Sequence, residues 1–216
     1  MKKPRAPSAV YAIADAEALT PRPLAEGALA IAEAGLTTIQ LRAKRLDDAA
    51  FFREAERTVR ALEGWVGSLW IDDRVDLAAI LGFDGVQLGQ ADLPAGVARR
   101  LLAASCFIGA STHDAVQWRA ADADSAVDWV AFGPVFPTRS KADPDPTVGI
   151  EGLRRVARLA AGKKAERKPL IAIGGIDAAS LPQVLAAGAD AAAVLSAVCV
   201  GDIAANCRRL LAAAAA

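Results

Sequence analysis

The chain has 216 residues, of which 54% are hydrophobic and 5% are aromatic. This length and an aliphatic, alanine-rich core favour a single α/β domain over an aromatic-rich β-sandwich. Lys plus Arg and Asp plus Glu each number 25, so the formal net charge is zero, and neither a nucleic-acid partner nor a membrane partner is expected.

Eight short apolar runs alternate along the chain with longer segments of helical periodicity. The predicted strands are residues 10–13, 38–41, 68–71, 85–88, 106–109, 129–132, 170–173 and 191–195. The predicted helices are residues 23–34, 47–62, 73–81, 94–103, 114–121, 150–160, 179–187 and 202–216. This order predicts a parallel sheet with helices outside it, in the form of a single (β/α)8 TIM barrel over residues 1–216. Residues 1–8 are expected to be a disordered tail.

Polar residues that follow the strands are the candidate site residues, because the active site of such a barrel lies at the carboxyl ends of its strands. After strand two, Gln40, Arg42 and Lys44 alternate with apolar residues and are predicted to point to one side. Two cations on one face attract an anionic ligand. An ordinary exposed strand end with solvated Arg and Lys fits the same spacing equally well.

Acidic residues follow strands three and four. Asp72 and Asp73 come after strand three, and Asp92 comes shortly after strand four. Carboxylates from adjacent strand ends can converge on a hard cation such as Mg²⁺. Judged on position alone, capping of the next helix is the more frequent role for Asp72 or Asp73. Asp47, Asp72 and Asp177 are all plausible helix caps.

The single histidine, His113, follows strand five, so metal sites built from several histidines are excluded. Two roles remain open for it. It is either an acid/base group or a residue in the first turn of the next helix, capped by Ser111 or Thr112.

Cys106, Cys199 and Cys207 are an odd number of cysteines without CxxC spacing, which is typical of reduced, buried thiols. No signal-length apolar stretch follows the basic N-terminus, and no run of 18 apolar residues occurs. A cytoplasmic protein is expected.

The last three strands are followed by segments typical of anion binding. Residues 133–149, with four prolines, form the longest irregular stretch and contain Thr138, Ser140 and Lys141. Gly174 and Gly175 follow strand seven, and Ser196 follows strand eight. In barrels, the loops after strands seven and eight often form a phosphate site with a helix N-terminus.

Taken together, these segments resemble the thiamine-phosphate synthase family from about residue 11 to residue 198. The motifs are Gln40-Leu41-Arg42-Ala43-Lys44, Ile71-Asp72-Asp73-Arg74, Gly85-Val86-Gln87-Leu88-Gly89-Gln90-Ala91-Asp92, Ser111-Thr112-His113, Gly133-Pro134-Val135-Phe136-Pro137-Thr138, Lys141 and Ala172-Ile173-Gly174-Gly175-Ile176. The resemblance implies a barrel transferase that joins an aminopyrimidine methyl pyrophosphate to a thiazole phosphate. Its products are thiamine phosphate and pyrophosphate, and its cofactor is Mg²⁺.

The resemblance also implies roles for individual residues. Asp73 and Asp92 would hold Mg²⁺. Arg42, Lys44 and Lys141 would hold the pyrophosphate with Gln40 and beside Asp72, and Ser111 would contact the pyrimidine. The thiazole phosphate would be bound by Thr138, Ser140, Gly175, Val194 and Ser196. The expected partners are these small phosphorylated substrates, with a homo-oligomer left open.

Three positions depart from the usual family pattern. Asp72 stands where the family usually has Asn, Gln87 where it commonly has His, and Ala91 where it commonly has an acidic residue. A carboxylate at position 72 would repel a pyrophosphate unless it is protonated, turned away or recruited to the metal. The departures leave two alternatives open, a thiazole tautomerase that uses His113 and a non-catalytic paralogue that binds thiamine precursors.

Overall fold

The computed structural model describes residues 8–141, 143, 145–162 and 167–216, and within them eight parallel strands close into a barrel in the order of the chain. The last strand pairs with the first, with Val10 opposite Ala192. The strands are β1 (Val10–Asp15), β2 (Thr38–Arg42), β3 (Ser68–Asp72), β4 (Gly85–Leu88), β5 (Phe107–Thr112), β6 (Trp129–Phe132), β7 (Leu170–Ile173) and β8 (Ala191–Val194). The predicted TIM barrel is therefore confirmed.

Helices cover the outside of the barrel. They are α1 (Ala16–Leu19), α2 (Leu24–Glu33), α3 (Asp48–Ala61), α4 (Val75–Leu81), α5 (Ala95–Leu101), α6 (Ala115–Ala123), α7 (Gly149–Ala161), α8 (Leu181–Ala186), α9 (Ser196–Cys199) and α10 (Ile203–Ala214). The short α1 and α9 were not predicted. None of the helices in the described parts of the chain combines the length and the apolar character needed to cross a membrane.

The core has two layers because successive side chains of each strand point to opposite faces. In β1, Val10, Ala12 and Ala14 pack under the helices, whereas Tyr11 and Ile13 point into the barrel. In the barrel interior Trp70 stacks on Trp129, with ring centroids 3.7 Å apart. These indoles are accommodated by small residues on β6 and β8, namely Ala131, Ala191 and Ala193.

Three aspartates close the amino-terminal end of the barrel. Each of them directly precedes an even-numbered strand and accepts a hydrogen bond from a backbone N–H of the preceding odd-numbered strand. The pairs are Asp84 with Leu69 at 2.8 Å, Asp128 with Ile108 at 2.8 Å, and Asp190 with Leu170 at 2.7 Å. This end of the barrel therefore uses its carboxylates to satisfy backbone donors, which is a structural role.

The helix starts correct two details of the sequence interpretation. Asp47 caps α3, as predicted, through Ala50 N at 2.7 Å. Asp72 does not cap α4, whose first flanking residue is Arg74 without a side-chain cap, so Asp72 and Asp73 are left for the cavity. At α6 the cap is Asp114, not Ser111 or Thr112, which continue β5.

Two expectations concern residues that the structure does not describe. Residues 1–7 of the expected N-terminal tail and Pro144 of the proline-rich stretch lie outside the described residues. Ser8, the last residue of that expected tail, donates a hydrogen bond through its hydroxyl to the backbone oxygen of Val10 at 2.6 Å.

Candidate active site

A cavity of about 480 Å³ opens at the carboxyl ends of the strands, where the sequence placed the site. Its lining includes every predicted site residue except Val194: Gln40, Arg42, Lys44, Asp72, Asp73, Asp92, Ser111, His113, Thr138, Ser140, Lys141, Gly175 and Ser196. Val194 is buried and packs with the residues under the helices, so its side chain does not reach the cavity.

Arg42, at the end of β2, is held by acidic groups and by the long loop after β6. Its guanidinium forms an ion pair with the buried Asp15 of β1, and its Nε lies 3.6 Å from Asp72 Oδ2. A further Arg42 nitrogen donates to the backbone oxygen of Ser140 at 3.2 Å. These contacts fix the planar guanidinium while its side chain stays partly exposed to the cavity.

Lys44 lies between two carboxylates. Its Nζ is 3.0 Å from Asp72 Oδ2 and also forms an ion pair with Asp73. Burial opposes the charge on Lys44, but the two aspartates outweigh it and raise the lysine pKa above its usual value. The lysine therefore stays protonated and available to an anion.

Gln40 is fixed by a chain of hydrogen bonds that runs across three strands. The hydroxyl of the buried Tyr11 donates to Gln40 Oε1 at 2.6 Å, and Gln40 Nε2 donates to Asp72 Oδ1 at 3.0 Å. Burial, and then the charge of Asp72, raise the pKa of Tyr11, so its phenol remains a donor. The amide of Gln40 consequently has a single orientation.

The three aspartates near the mouth lie close enough to perturb one another. Burial and the neighbouring Asp72 raise the pKa of Asp73 to about 6, with a further contribution from a contact with Asp92. Burial also raises the pKa of Asp72, against the opposing charge of Lys44. Asp92 Oδ2 accepts a hydrogen bond from Gly89 N at 2.6 Å.

Asp73 has an unusual backbone conformation. Within the described parts of the chain it is the one residue other than glycine with a positive φ, 61°. Aspartate tolerates this left-handed region better than most residues, but at some cost in strain, and such strain concentrates at functional sites. Within the same described parts, no group of three His, Cys, Asp or Glu side chains forms a complete metal site. Magnesium commonly uses one or two carboxylates together with substrate oxygens and water.

Ser111 is held on two sides by neighbouring glutamines. Gln87 Nε2 donates to its hydroxyl oxygen at 3.0 Å, and Gln90 Nε2 donates to its backbone oxygen at 2.7 Å. Gln87 Oε1 in turn accepts from the indole N–H of Trp129 at 3.3 Å.

His113 lines the cavity two residues before the start of α6. Its Nδ1 lies 2.8 Å from the backbone oxygen of Gly133, which can only accept, so Nδ1 carries the ring proton. The other ring nitrogen, Nε2, lies 3.5 Å from Asp145, which also binds Lys141 at 2.8 Å. The loop after β6 thus contacts His113 at two points.

That loop is joined to the end of β7. Val135 N donates to Ile173 O at 2.8 Å, and Phe136 N donates to Gly174 O at 3.0 Å. Gly174 and Gly175 have φ values of +100° and +63°, and a Cβ on Gly175 would lie 2.5 Å from the backbone oxygen of Pro137. Only glycine fits this close approach, which brings the loop over the cavity.

Four residues around the site were missed in the sequence: Tyr11, Asp15, Gln87 in its contact with Ser111, and Asp145. Tyr11 and Asp15 belong to β1, which ends two residues later than predicted. The alternation of β1, continued to Asp15, would have placed both on the inner face with Ile13. Asp145 lies in an irregular loop that has no periodicity to read.

A closed (β/α)8 barrel with a cavity at the carboxyl ends of its strands defines a class of proteins that bind small ligands there. The sequence model of the family described as thiamine monophosphate synthase matches residues 10–198. The chain is 40% identical over 200 residues to thiamine-phosphate synthase of Koribacter versatilis, covering 91% of this chain and 89% of that protein. It is 40% identical over 193 residues to thiamine-phosphate synthase of Albidiferax ferrireducens, covering 89% and 85%.

A solved structure gives the same result. Thiamine phosphate pyrophosphorylase from Pyrococcus furiosus superimposes with a TM-score of 0.81 at 30% identity, over 95% of each chain. The chain therefore belongs to the thiamine monophosphate synthase family. The resemblance found in the sequence is confirmed, and so is the enzyme class, because the relatives are named thiamine-phosphate synthases, and such synthases are transferases.

Proposed function

We propose that the chain is a thiamine-phosphate synthase. In the proposed reaction, the bond between the methylene carbon and the pyrophosphate oxygen of the aminopyrimidine substrate breaks. The nitrogen of the thiazole phosphate then forms a bond to that carbon, and the products are thiamine phosphate and pyrophosphate. The observation that carries the proposal is the convergence of Arg42, Lys44 and Lys141 on one cavity with Asp73 and Asp92.

The cations would bind the pyrophosphate and stabilise it as it leaves. Negative charge grows on the pyrophosphate as the carbon–oxygen bond breaks, so fixed positive groups lower the barrier more than a base would. Arg42 is preorganised by Asp15 and by the backbone of Ser140. Lys44 pairs with two aspartates and Lys141 with one, and a pyrophosphate would draw both lysines away from these partners. The ion pairs would hold the lysines ready between turnovers.

Asp73 and Asp92 have the chemistry to hold Mg²⁺. Both present carboxylate oxygens, the donors that this ion prefers, and the two side chains lie close enough to contact each other. When bound, the ion would supply further positive charge to the pyrophosphate. The strained backbone conformation of Asp73 would direct its carboxylate towards the Mg²⁺ ion.

The remaining polar residues would complete the binding of both substrates. Ser111 would contact the pyrimidine, and the fixed amide of Gln40, beside Asp72, would join the cations at the pyrophosphate. Thr138, Ser140, Gly175 and Ser196 would bind the thiazole phosphate from the loops after β6, β7 and β8. Val194 would contact this phosphate through its backbone, since its side chain packs under the helices.

A thiazole tautomerase is the second candidate, and the position of His113 favours it. Its ring lines the cavity, and Nε2 is the nitrogen that can accept a proton. The presence of both Asp73 and Asp92 supports the synthase instead, because a proton shift within one substrate needs no pair of metal-binding carboxylates.

The proposed location is the cytoplasm. All three cysteines are free and buried, as expected of a protein in a reducing compartment. Burial raises the pKa of Cys106 to about 11 and that of Cys199 to about 12, so these thiols are inert.

The experiment that tests the function uses the purified protein with aminopyrimidine methyl pyrophosphate, thiazole phosphate and Mg²⁺. We expect thiamine phosphate and pyrophosphate in equal amounts. With thiazole carboxylate phosphate as the sole substrate, we expect no isomerisation. Isomerisation without thiamine phosphate would identify a tautomerase, and binding of either precursor without turnover would identify a non-catalytic paralogue.

A further inference from the structure

Gln87, Gly109 and Trp129 lie side by side on three neighbouring strands. The register of β4 with β5 pairs Gln87 with Gly109, and that of β5 with β6 pairs Gly109 with Trp129. Gln87 and Trp129 are both buried, at 6% and 3% exposure. Their contact therefore lies inside the barrel, at the bottom of the cavity that Gln87 lines, where a buried polar group needs a partner.

Gly109 makes room for this contact. A Cβ at Gly109 would lie 2.1 Å from Gln87 Oε1 and 2.2 Å from Trp129 Nε1. Any larger residue in the middle of β5 would thus occupy the space of the hydrogen bond itself. The absence of a side chain at this position is what lets the indole reach the amide.

The indole determines which way the amide of Gln87 points. Because Trp Nε1–H is a donor and never an acceptor, the Gln87 atom facing it is the oxygen. The amide nitrogen consequently faces Ser111 and donates to its hydroxyl oxygen at 3.0 Å. Because the oxygen of the Ser111 hydroxyl already accepts this hydrogen bond, its own hydrogen is free to point into the cavity.

We infer that Gln87 is a positioning residue that makes Ser111 a hydrogen-bond donor to an acceptor atom of the substrate ring. The inference rests on the proposed function, in which the pyrimidine lies against Ser111. In this role Gln87 uses one donor and one acceptor of an uncharged side chain. A neutral histidine offers the same two groups.

The test compares Gln87→Met, Gln87→His, Ser111→Ala and the double variant Gln87→Met/Ser111→Ala. Methionine keeps the length of the side chain and removes both hydrogen bonds. We expect Gln87→Met to raise the KM and the Kd for aminopyrimidine methyl pyrophosphate about tenfold, the scale of one well-placed hydrogen bond. The KM for thiazole phosphate should stay within about twofold, and Gln87→His should recover most of the loss.

The double variant separates positioning from general damage. If Gln87 acts through Ser111, the methionine adds no further loss once the hydroxyl is gone. Additive losses, equal rises in both KM values, or unchanged pyrimidine affinity in Gln87→Met would overturn the inference. Kd values from calorimetry allow the same comparison without turnover. A wild-type protein that binds the pyrimidine but makes no thiamine phosphate would therefore refute the proposed function and leave the inference about Gln87 testable.

Discussion

The two ends of the barrel use aspartate in opposite ways. At the amino-terminal end, Asp84, Asp128 and Asp190 each satisfy one backbone N–H of the neighbouring strand. At the carboxyl end, Asp72 and Asp73 share one lysine, and burial, followed by the like charge of Asp72, raises the pKa of Asp73 to about 6. One end is arranged for stability. At the other end like charges lie close together and shift a pKa, which is typical of a ligand-binding site.

The largest effect is expected at the carboxyl end, in Asp92→Asn. Asparagine retains an oxygen that can accept from Gly89 N, so the local turn should persist. It removes one of the two proposed Mg²⁺ carboxylates, and kcat should fall at least about 100-fold, because metal charge stabilisation amounts to several kcal/mol. Steady-state kinetics over a range of Mg²⁺ concentrations measures it. Wild-type kcat in Asp92→Asn would contradict the assignment.

The matched change at the amino-terminal end is Asp128→Ala. It leaves the N–H of the buried Ile108 without its acceptor and removes the partner of Arg99. The free energy of unfolding should fall by roughly 2 kcal/mol, the cost of an unsatisfied buried group, with kcat unchanged. Urea unfolding with a constant m value measures it. A lower kcat with unchanged stability in Asp128→Ala would contradict the structural role assigned to the amino-terminal end.

Asp72→Asn sharpens the account of charge conflict. The asparagine oxygen still accepts from Gln40, but the negative charge beside Arg42 and Lys44 is gone. The KM for the pyrimidine pyrophosphate should fall about fivefold, close to 1 kcal/mol, as repulsion of the pyrophosphate is relieved. An unchanged or higher KM would show that Asp72 does not repel the substrate.

The smallest effect is expected for His113→Gln. Glutamine can still donate to Gly133 O, which keeps the contact with the loop after β6. In a synthase, kcat should change less than about threefold, whereas loss of an acid/base group costs 100-fold or more. The comparison is made with both substrates at saturation. A 100-fold loss would favour the tautomerase.

The barrel could be predicted from the sequence because each strand contains a short apolar run and each helix keeps its period. The end of β5 could not, since Ser111 and Thr112 are small polar residues and are interpreted from the sequence as candidate caps of the next helix. In the fold they continue the strand because β6 pairs with them, Thr112 lying opposite Phe132. Tertiary pairing overrides the local signal there.

Only part of the site could be predicted from the sequence, for a similar reason. Arg42 and Lys44 could be found from their spacing, but the ion-pair partner that fixes Arg42 is Asp15, 27 residues earlier in the chain. The register of β1 with β2 sets that pairing, with Asp15 opposite Arg42. Orientation of Gln40 by Tyr11 depends on the same register. No local pattern encodes contacts of this range.

The most direct test of the account measures thiamine phosphate formation and urea unfolding for wild type, Asp92→Asn and Asp128→Ala in parallel, at saturating substrates and Mg²⁺. We predict product from wild type and from Asp128→Ala at equal kcat, loss of stability in Asp128→Ala alone, and loss of turnover in Asp92→Asn alone. A wild-type protein that forms no thiamine phosphate, or an Asp92→Asn variant that forms it at the wild-type rate, would contradict the account.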